Sequence, residues 1–249
     1  RQFEGGESER GFVAIHIAMV SHTAHLVRGI RGALRRGPDA ASHLTRLLQA
    51  MRHINATMEG MWGASKPADY VAFRTFIMGI KEQPMFPQGV VYAGVDDTAR
   101  HWRGESGAND SIIPTMDNLL ELTALMPHNP LTEILLDFRQ YRPAAHSRWL
   151  NLVAERATGM RPWLLQHHPR MLLQLLEQVR EFRWRHWQFT RRYILAHTKH
   201  PVATGGSPIL SWLPNQLRTV LLVMQQVLVQ VPDPSLQALV EEQLGQLDN

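Results

Sequence analysis

The segment FRWRHWQFTRRYIL, from Phe182 to Leu195, sets one histidine, His186, in the middle of a long amphipathic pattern. Val179, Phe182, Phe189 and Tyr193 fall at helical spacing around it, so its imidazole lies on the apolar stripe of a helix. Arg180, Arg183, Arg185, Arg191 and Arg192 fall mostly off that stripe. A flat apolar cofactor with anionic edges suits such a surface. Its iron would meet the imidazole, and rim arginines would pair with its carboxylates. The same spacing also suits a core histidine hydrogen-bonded to a neighbour, and the segment alone leaves both readings open.

Three other stretches hold residues with chemical potential: FRTFIMGIK (Phe73 to Lys81), RGESGANDSIIPTMDNLL (Arg103 to Leu120) and ATGGSPI (Ala203 to Ile209). Arg74 offers a planar fork of donors, which suits a carboxylate. Without further context it reads first as a surface arginine or as a partner for a cofactor carboxylate. Gly104, Gly107, Gly205 and Gly206 would let backbone approach a ligand closely. A lone TGG otherwise means only a turn.

These residues need elements to carry them, and the pattern is almost entirely helical. Phe12, Ile15, Met19, Leu26, Val27 and Ile30 predict a first helix over roughly residues 8–36, ended at Gly37-Pro38-Asp39. Leu44 through Met61 predict a second, stopped by Gly63 to Pro67. A third carries Tyr70, Phe73, Arg74 and Ile77. Residues 82–111, rich in proline, glycine and aspartate, read as a long functional loop. Helices resume over 114–126, 131–139 and 144–157, and the longest runs from Pro169 to His197. His167-His168 reads as a solvated turn, and His146 as structural. A second functional loop covers 198–206. Ser207-Pro208 then predicts an N-cap followed by proline at the first helical position. Two helices finish the chain, the first broken near Pro214, with a turn at 231–234 between them.

Of the 249 residues 44% are hydrophobic and 19% charged, enough apolar material for a sizeable core. The net charge of +4 is dispersed, without the clustered basic stripe that nucleic-acid binding asks for. No apolar run approaches the ~18 residues of a membrane span, and no secretory leader is read. No repeat period points to a solenoid. The absence of cysteine excludes thiolate ligation and iron–sulfur clusters and fits a reducing, cytoplasmic setting.

In order and spacing, FRTFxxGxK, GVVYxGV, RGxSGA, RPxxH, FRxxHxxFxxxYI and TGG resemble the indoleamine 2,3-dioxygenase family, from about Gly11 to Leu217. The resemblance implies an all-α, large helical haem-binding domain of the indoleamine/tryptophan dioxygenase type, covering residues 1–249. It implies haem b as cofactor, and O2 with L-tryptophan or a related indole as small-molecule partners. The reaction expected is insertion of both oxygen atoms into the indole ring, giving N-formylkynurenine-type products of tryptophan catabolism. It implies His186 as the iron ligand, Arg183 beside a haem propionate and Gly107 next to the cofactor. Asp117 would orient the imidazole of His186 through a hydrogen bond or water. Arg74 would bind the substrate carboxylate, with Tyr70 as a pocket aromatic. Gly104 and Ser106 would line the distal face, and Thr204 and Gly205 would belong to a mobile loop closing over substrate.

The chain departs from the pattern in three places. The smaller N-terminal helical domain that the resemblance leads one to expect is not read in this sequence; a processed fragment, a separate segment or chain, or further residues ahead of it would each account for that. His16 stands where a small or hydroxyl residue is usual; it reads either as a distal histidine bonding the indole N–H or oxygen, or as a satisfied core histidine. Asp110 falls in a stretch usually closer to AQSS and reads as a loop cap or as a determinant of substrate choice. These departures keep two alternatives open: a haem enzyme performing a different indole oxidation in secondary metabolism, and a non-catalytic haem-binding fragment.

Overall fold

Leucines at helical spacing make the centre of the molecule. In the computed structural model, which describes residues 2–105, 110–198 and 202–248, helix α10 (Pro169–Phe189) buries Leu172, Leu173, Leu175, Leu176 and Val179. Each such side chain contributes about 1.5–3 kcal/mol by leaving water. Pro169 opens the helix at its first position, where its missing N–H costs nothing. Around α10 pack α3 (Ala40–Glu59), α9 (Met160–His167) and α11 (Ile209–Leu228). The stripe Leu44, Leu47, Leu48, Met51, Ile54 and Met58 gives α3 its buried face. On its other side α3 carries α1 (Glu7–Ser21) and α2 (Thr23–Ala33). Short helices α4 (Met61–Ala64) and α5 (Pro67–Arg74) follow, then α6 (Ile112–Leu119), α7 (Pro130–Phe138) and α8 (Ala144–Arg156). Helix α12 (Pro234–Asp248) closes the chain against α11. Among the described residues there is no strand, only isolated bridges Val90–Arg100 and Val202–Pro208. No helix is long and apolar enough to cross a membrane.

The architecture is all-α, as expected, but several boundaries differ for local reasons. The first helix is two. Ser21 Oγ donates to Ala18 O at 2.7 Å and the His22 amide bonds Met19 O, so the ladder tightens and turns there. The long helix is α-helical only to Phe189 and continues as a π-helical turn, Thr190–Leu195. There the Tyr193 hydroxyl, anchored on Met61 O and Ser65 O at 3.1 and 2.6 Å, ties it to α4 and its C-cap. Helix α9 has no counterpart in the sequence reading. Its first amides, Gly159 and Arg161, both donate to the Glu121 carboxylate at 2.9 Å, an anion at a helix N-terminus supplied from a distant segment.

Pro214 lies inside α11 without breaking it, at the cost of one ladder bond. Pro208, rather than Ser207, holds the N-cap position of that helix. Arg180 and Arg183 are buried rather than off the stripe. Arg180 pairs with Glu177 and Gln243, and Arg183 pairs with Asp117. Residues 82–105 form a chain of turns, as a loop was expected to.

Candidate functional site

Helix α10 projects His186 and, one turn earlier, Arg183 from the core of the bundle. His186 keeps some accessible surface, yet burial foremost, and then His16, push its pKa down to about 4. The ring is therefore packed among protein groups while part of the residue stays accessible. Among the described residues no hydrogen bond engages it. At neutral pH the imidazole is uncharged, with a nitrogen lone pair available to a metal.

His16 approaches from α1. Its Nδ1 is 2.8 Å from Phe12 O and its ring packs on Phe12 at 4.4 Å, leaving Nε2 for other partners. The residue is exposed, which removes the core-histidine reading. It acts electrostatically on His186, Glu105 and Asp110, so these groups share one region. Asp110 does serve as a cap, its Oδ1 accepting from the Ile112 amide at 2.9 Å. Burial pushes both Glu105 and Asp110 up, opposed by His16 and, at Asp110, by backbone amides and Arg142. His146 is exposed, with Nδ1 3.1 Å from Ser111 Oγ.

Arg183 donates from one nitrogen to both Asp117 oxygens at 2.8 Å. Its Nε and its other terminal nitrogen are buried without a partner. Asp117 thus holds Arg183, and no direct hydrogen bond among the described residues joins it to His186. Burial raises the Asp117 carboxyl, against the pull of Arg183 and Arg139. Arg139 is itself depressed by burial, and Arg142 falls to about 10 through burial and repulsion from Arg139. Arg183 and Arg139 both act on Asp117, and Arg142 acts on Asp110. The orphaned donors of Arg183, one turn from a neutral imidazole, fit a planar group with an iron centre and carboxylate edges.

A second set of residues forms a wall beside this region. Tyr70 and Arg74 are buried on α5, where Tyr70 stacks edge-on with Tyr193 and its hydroxyl lies against the Arg74 guanidinium. Arg74 donates to Val202 O at 2.6 Å and its Nε has no partner. Residues 202–207, which include the Thr204–Gly206 turn expected to close over substrate, pack against the 79–105 segment. Thr204 is 7% exposed and Ser207 is fully buried. The Thr204 hydroxyl donates to Glu105 O, its carbonyl accepts from Gly79 N at 2.9 Å, and Gln83 holds Ala203 O at 3.1 Å. A Cβ on Gly104 would lie 2.2 Å from Gly79 N and 2.3 Å from Thr204 O, so three backbones meet where no side chain fits. Gly206 takes φ +87°, a turn that disfavours other residues.

The structure thus groups His186 with His16, Arg183 with Asp117, and Tyr70, Arg74, Gly104, Thr204 and Gly205 with one another. Ser106 and Gly107 lie outside the described residues. Sequence reasoning missed Arg103, Asp137, Lys81, Arg139 and Arg142. Lys81 and Arg103 sit inside the quoted motifs, but their common partner Asp137 is remote in sequence and carries no motif.

Comparison with known proteins adds a separate line of observation. The sequence family described as Indoleamine 2,3-dioxygenase matches residues 1–215. The chain is 26% identical over 242 residues to mouse indoleamine 2,3-dioxygenase 2, covering 85% of this chain and 57% of that protein. To the human indoleamine 2,3-dioxygenase 2 it is 26% identical over 239 residues, 85% of this chain and 58% of the relative. Rat indoleamine 2,3-dioxygenase 1 aligns over 162 residues at 26% identity. The chain therefore spans under three-fifths of the length of these curated relatives.

Proposed function

This chain belongs to the indoleamine 2,3-dioxygenase family, and from that premise we propose that it is a haem-dependent dioxygenase acting on L-tryptophan or a close indole. Residues 1–249 act in this reading as one helical haem-binding domain in the cytoplasm. The observation that carries it is the neutral, uncommitted imidazole of His186 one turn from the orphaned donors of Arg183. His186 would hold the iron of haem b. Arg183, steadied by Asp117, would take a haem carboxylate, with Arg139 and Arg142 supplying further positive charge. Gly107 belongs to the same proposed cofactor contact. The bound haem supplies the oxygen chemistry, giving an N-formylkynurenine-type product, and the protein supplies position and electrostatics.

Arg74 has an unused Nε–H and a nitrogen on Val202 O, so a substrate carboxylate would share this guanidinium with the loop. Tyr70 beneath it forms the aromatic floor. Gly104, Thr204 and Gly205 form a close backbone wall, with Ser106 beside them in this reading. His16, with Nδ1 fixed on Phe12 O, would present Nε2 to the indole N–H or to oxygen.

The test is the optical spectrum of the reduced, haem-loaded protein under anaerobic conditions, before and after L-tryptophan. A histidine-ligated spectrum that L-tryptophan shifts, and that His186→Ala abolishes, is expected. Failure of His186→Ala to alter a stoichiometric haem spectrum would overturn the assignment. The exposed His16 beside Glu105 and Asp110 favours a second reading, a different indole oxidation. Product mass separates the two, at two added oxygen atoms against one or none.

A further inference from the structure

We infer that Arg103 is a positioning residue that holds the 202–207 loop against the site. The inference rests on the reading of that loop as part of the substrate wall. The Arg103 side chain is 2% exposed, and its whole guanidinium is used. Nε donates to Asp137 Oδ2 at 2.6 Å, one terminal nitrogen donates to Gly205 O at 2.8 Å, and the other lies 3.7 Å from Glu82. The flat face covers the Phe138 ring at 4.9 Å. Lys81 donates to the same Asp137 oxygen at 2.7 Å, so one carboxylate gathers two cations from the two ends of the 82–102 segment. Burial raises the Asp137 carboxyl, but these two partners outweigh it and hold it below its ordinary value.

Position makes this arginine more than a packing residue. Arg74, Gln83 and Thr204 secure the first half of the loop, at Val202, Ala203 and Glu105 O. Among the described residues Arg103 is the side chain that reaches Gly205, next to the left-handed Gly206. A Thr-Gly-Gly turn has wide conformational freedom, and ordering it costs entropy that a fixed donor offsets. Arg103 also precedes Gly104, whose backbone touches Thr204 O from the other side. One residue therefore clamps the turn through its side chain while its neighbour sets how closely the turn can approach. The rigid partner is α7, which carries both Asp137 and Phe138.

The test combines amide hydrogen exchange with tryptophan binding, on the full chain and its Arg103→Met, Arg103→Lys and Asp137→Asn variants. In Arg103→Met, the Gly206 and Gly79 amides, which bond within and to the loop, should exchange about tenfold faster or more. Amides of α3 and α11 should exchange as in the wild type. Arg103→Lys, which keeps charge but not the fork, should fall between. In the haem-loaded proteins the L-tryptophan-induced absorbance shift should need about tenfold more ligand, with haem content and spectrum unchanged. Unaltered loop exchange in a folded Arg103→Met protein overturns the inference. So does a loosened loop with undiminished tryptophan affinity. If Arg103→Met does not fold, Asp137→Asn decides by the same exchange comparison, with faster loop exchange expected. If the wild type ignores tryptophan, the functional reading fails and the exchange result alone decides the role of Arg103.

Discussion

The most exposed part of the proposal at the residue scale is Arg74, because it already has a partner in Val202 O. Arg74→Met should raise the KM for L-tryptophan by roughly 10–100-fold, the usual cost of losing a charge-assisted hydrogen bond. Haem content should not change. Steady-state kinetics with haem quantified beside them check this, and a KM that stays put would place the substrate carboxylate elsewhere. Asp137 gives a pH prediction. Its folded-state pKa lies below its ordinary value, so its contribution to stability is present above about pH 4 and fades as pH falls through the folded value. The melting temperatures of wild type and Asp137→Asn should therefore differ at neutral pH and converge as the pH falls below about 4. A gap that persists undiminished in strong acid would contradict the ion pairs with Lys81 and Arg103.

Helices were legible where one stripe could be satisfied locally. The leucines and methionines of α3 and the leucines of α10 announce their own elements, since burial of that stripe requires no particular partner. Elements that depend on remote groups were not legible. Helix α9 has its first amides satisfied by Glu121, far away in sequence, and begins after a glycine that reads as a turn. The π-helical turn is tied by Tyr193 to two carbonyls of another segment. Two predictions belong to these elements. Leu176→Ala, at the fully buried centre of α10, should cost about 2–5 kcal/mol in urea unfolding. Tyr193→Phe should cost about 1–3 kcal/mol, because it leaves the Met61 and Ser65 carbonyls without this donor. A neutral Tyr193→Phe would mean that those carbonyls find other donors.

Across the whole molecule, the site was legible by motif and illegible by partner. His186, Arg74 and Thr204 stand out in sequence, but nothing there says that Asp117 grips Arg183 or that Val202 holds Arg74. Those pairings follow from how α6, α10 and the loops converge. The same convergence leaves two buried donors of Arg183 without partners, and in the proposed reading an anionic cofactor engaging them would make folding and cofactor loading a single linked equilibrium. An anionic group that binds the folded chain alone draws the population toward it by mass action. Free haem at a hundred times its dissociation constant would add about 2.7 kcal/mol to the stability of the fold. The melting temperature would then report haem affinity directly, climbing with the logarithm of haem concentration. The cell's haem supply, rather than the sequence alone, would set how much of this protein stays folded.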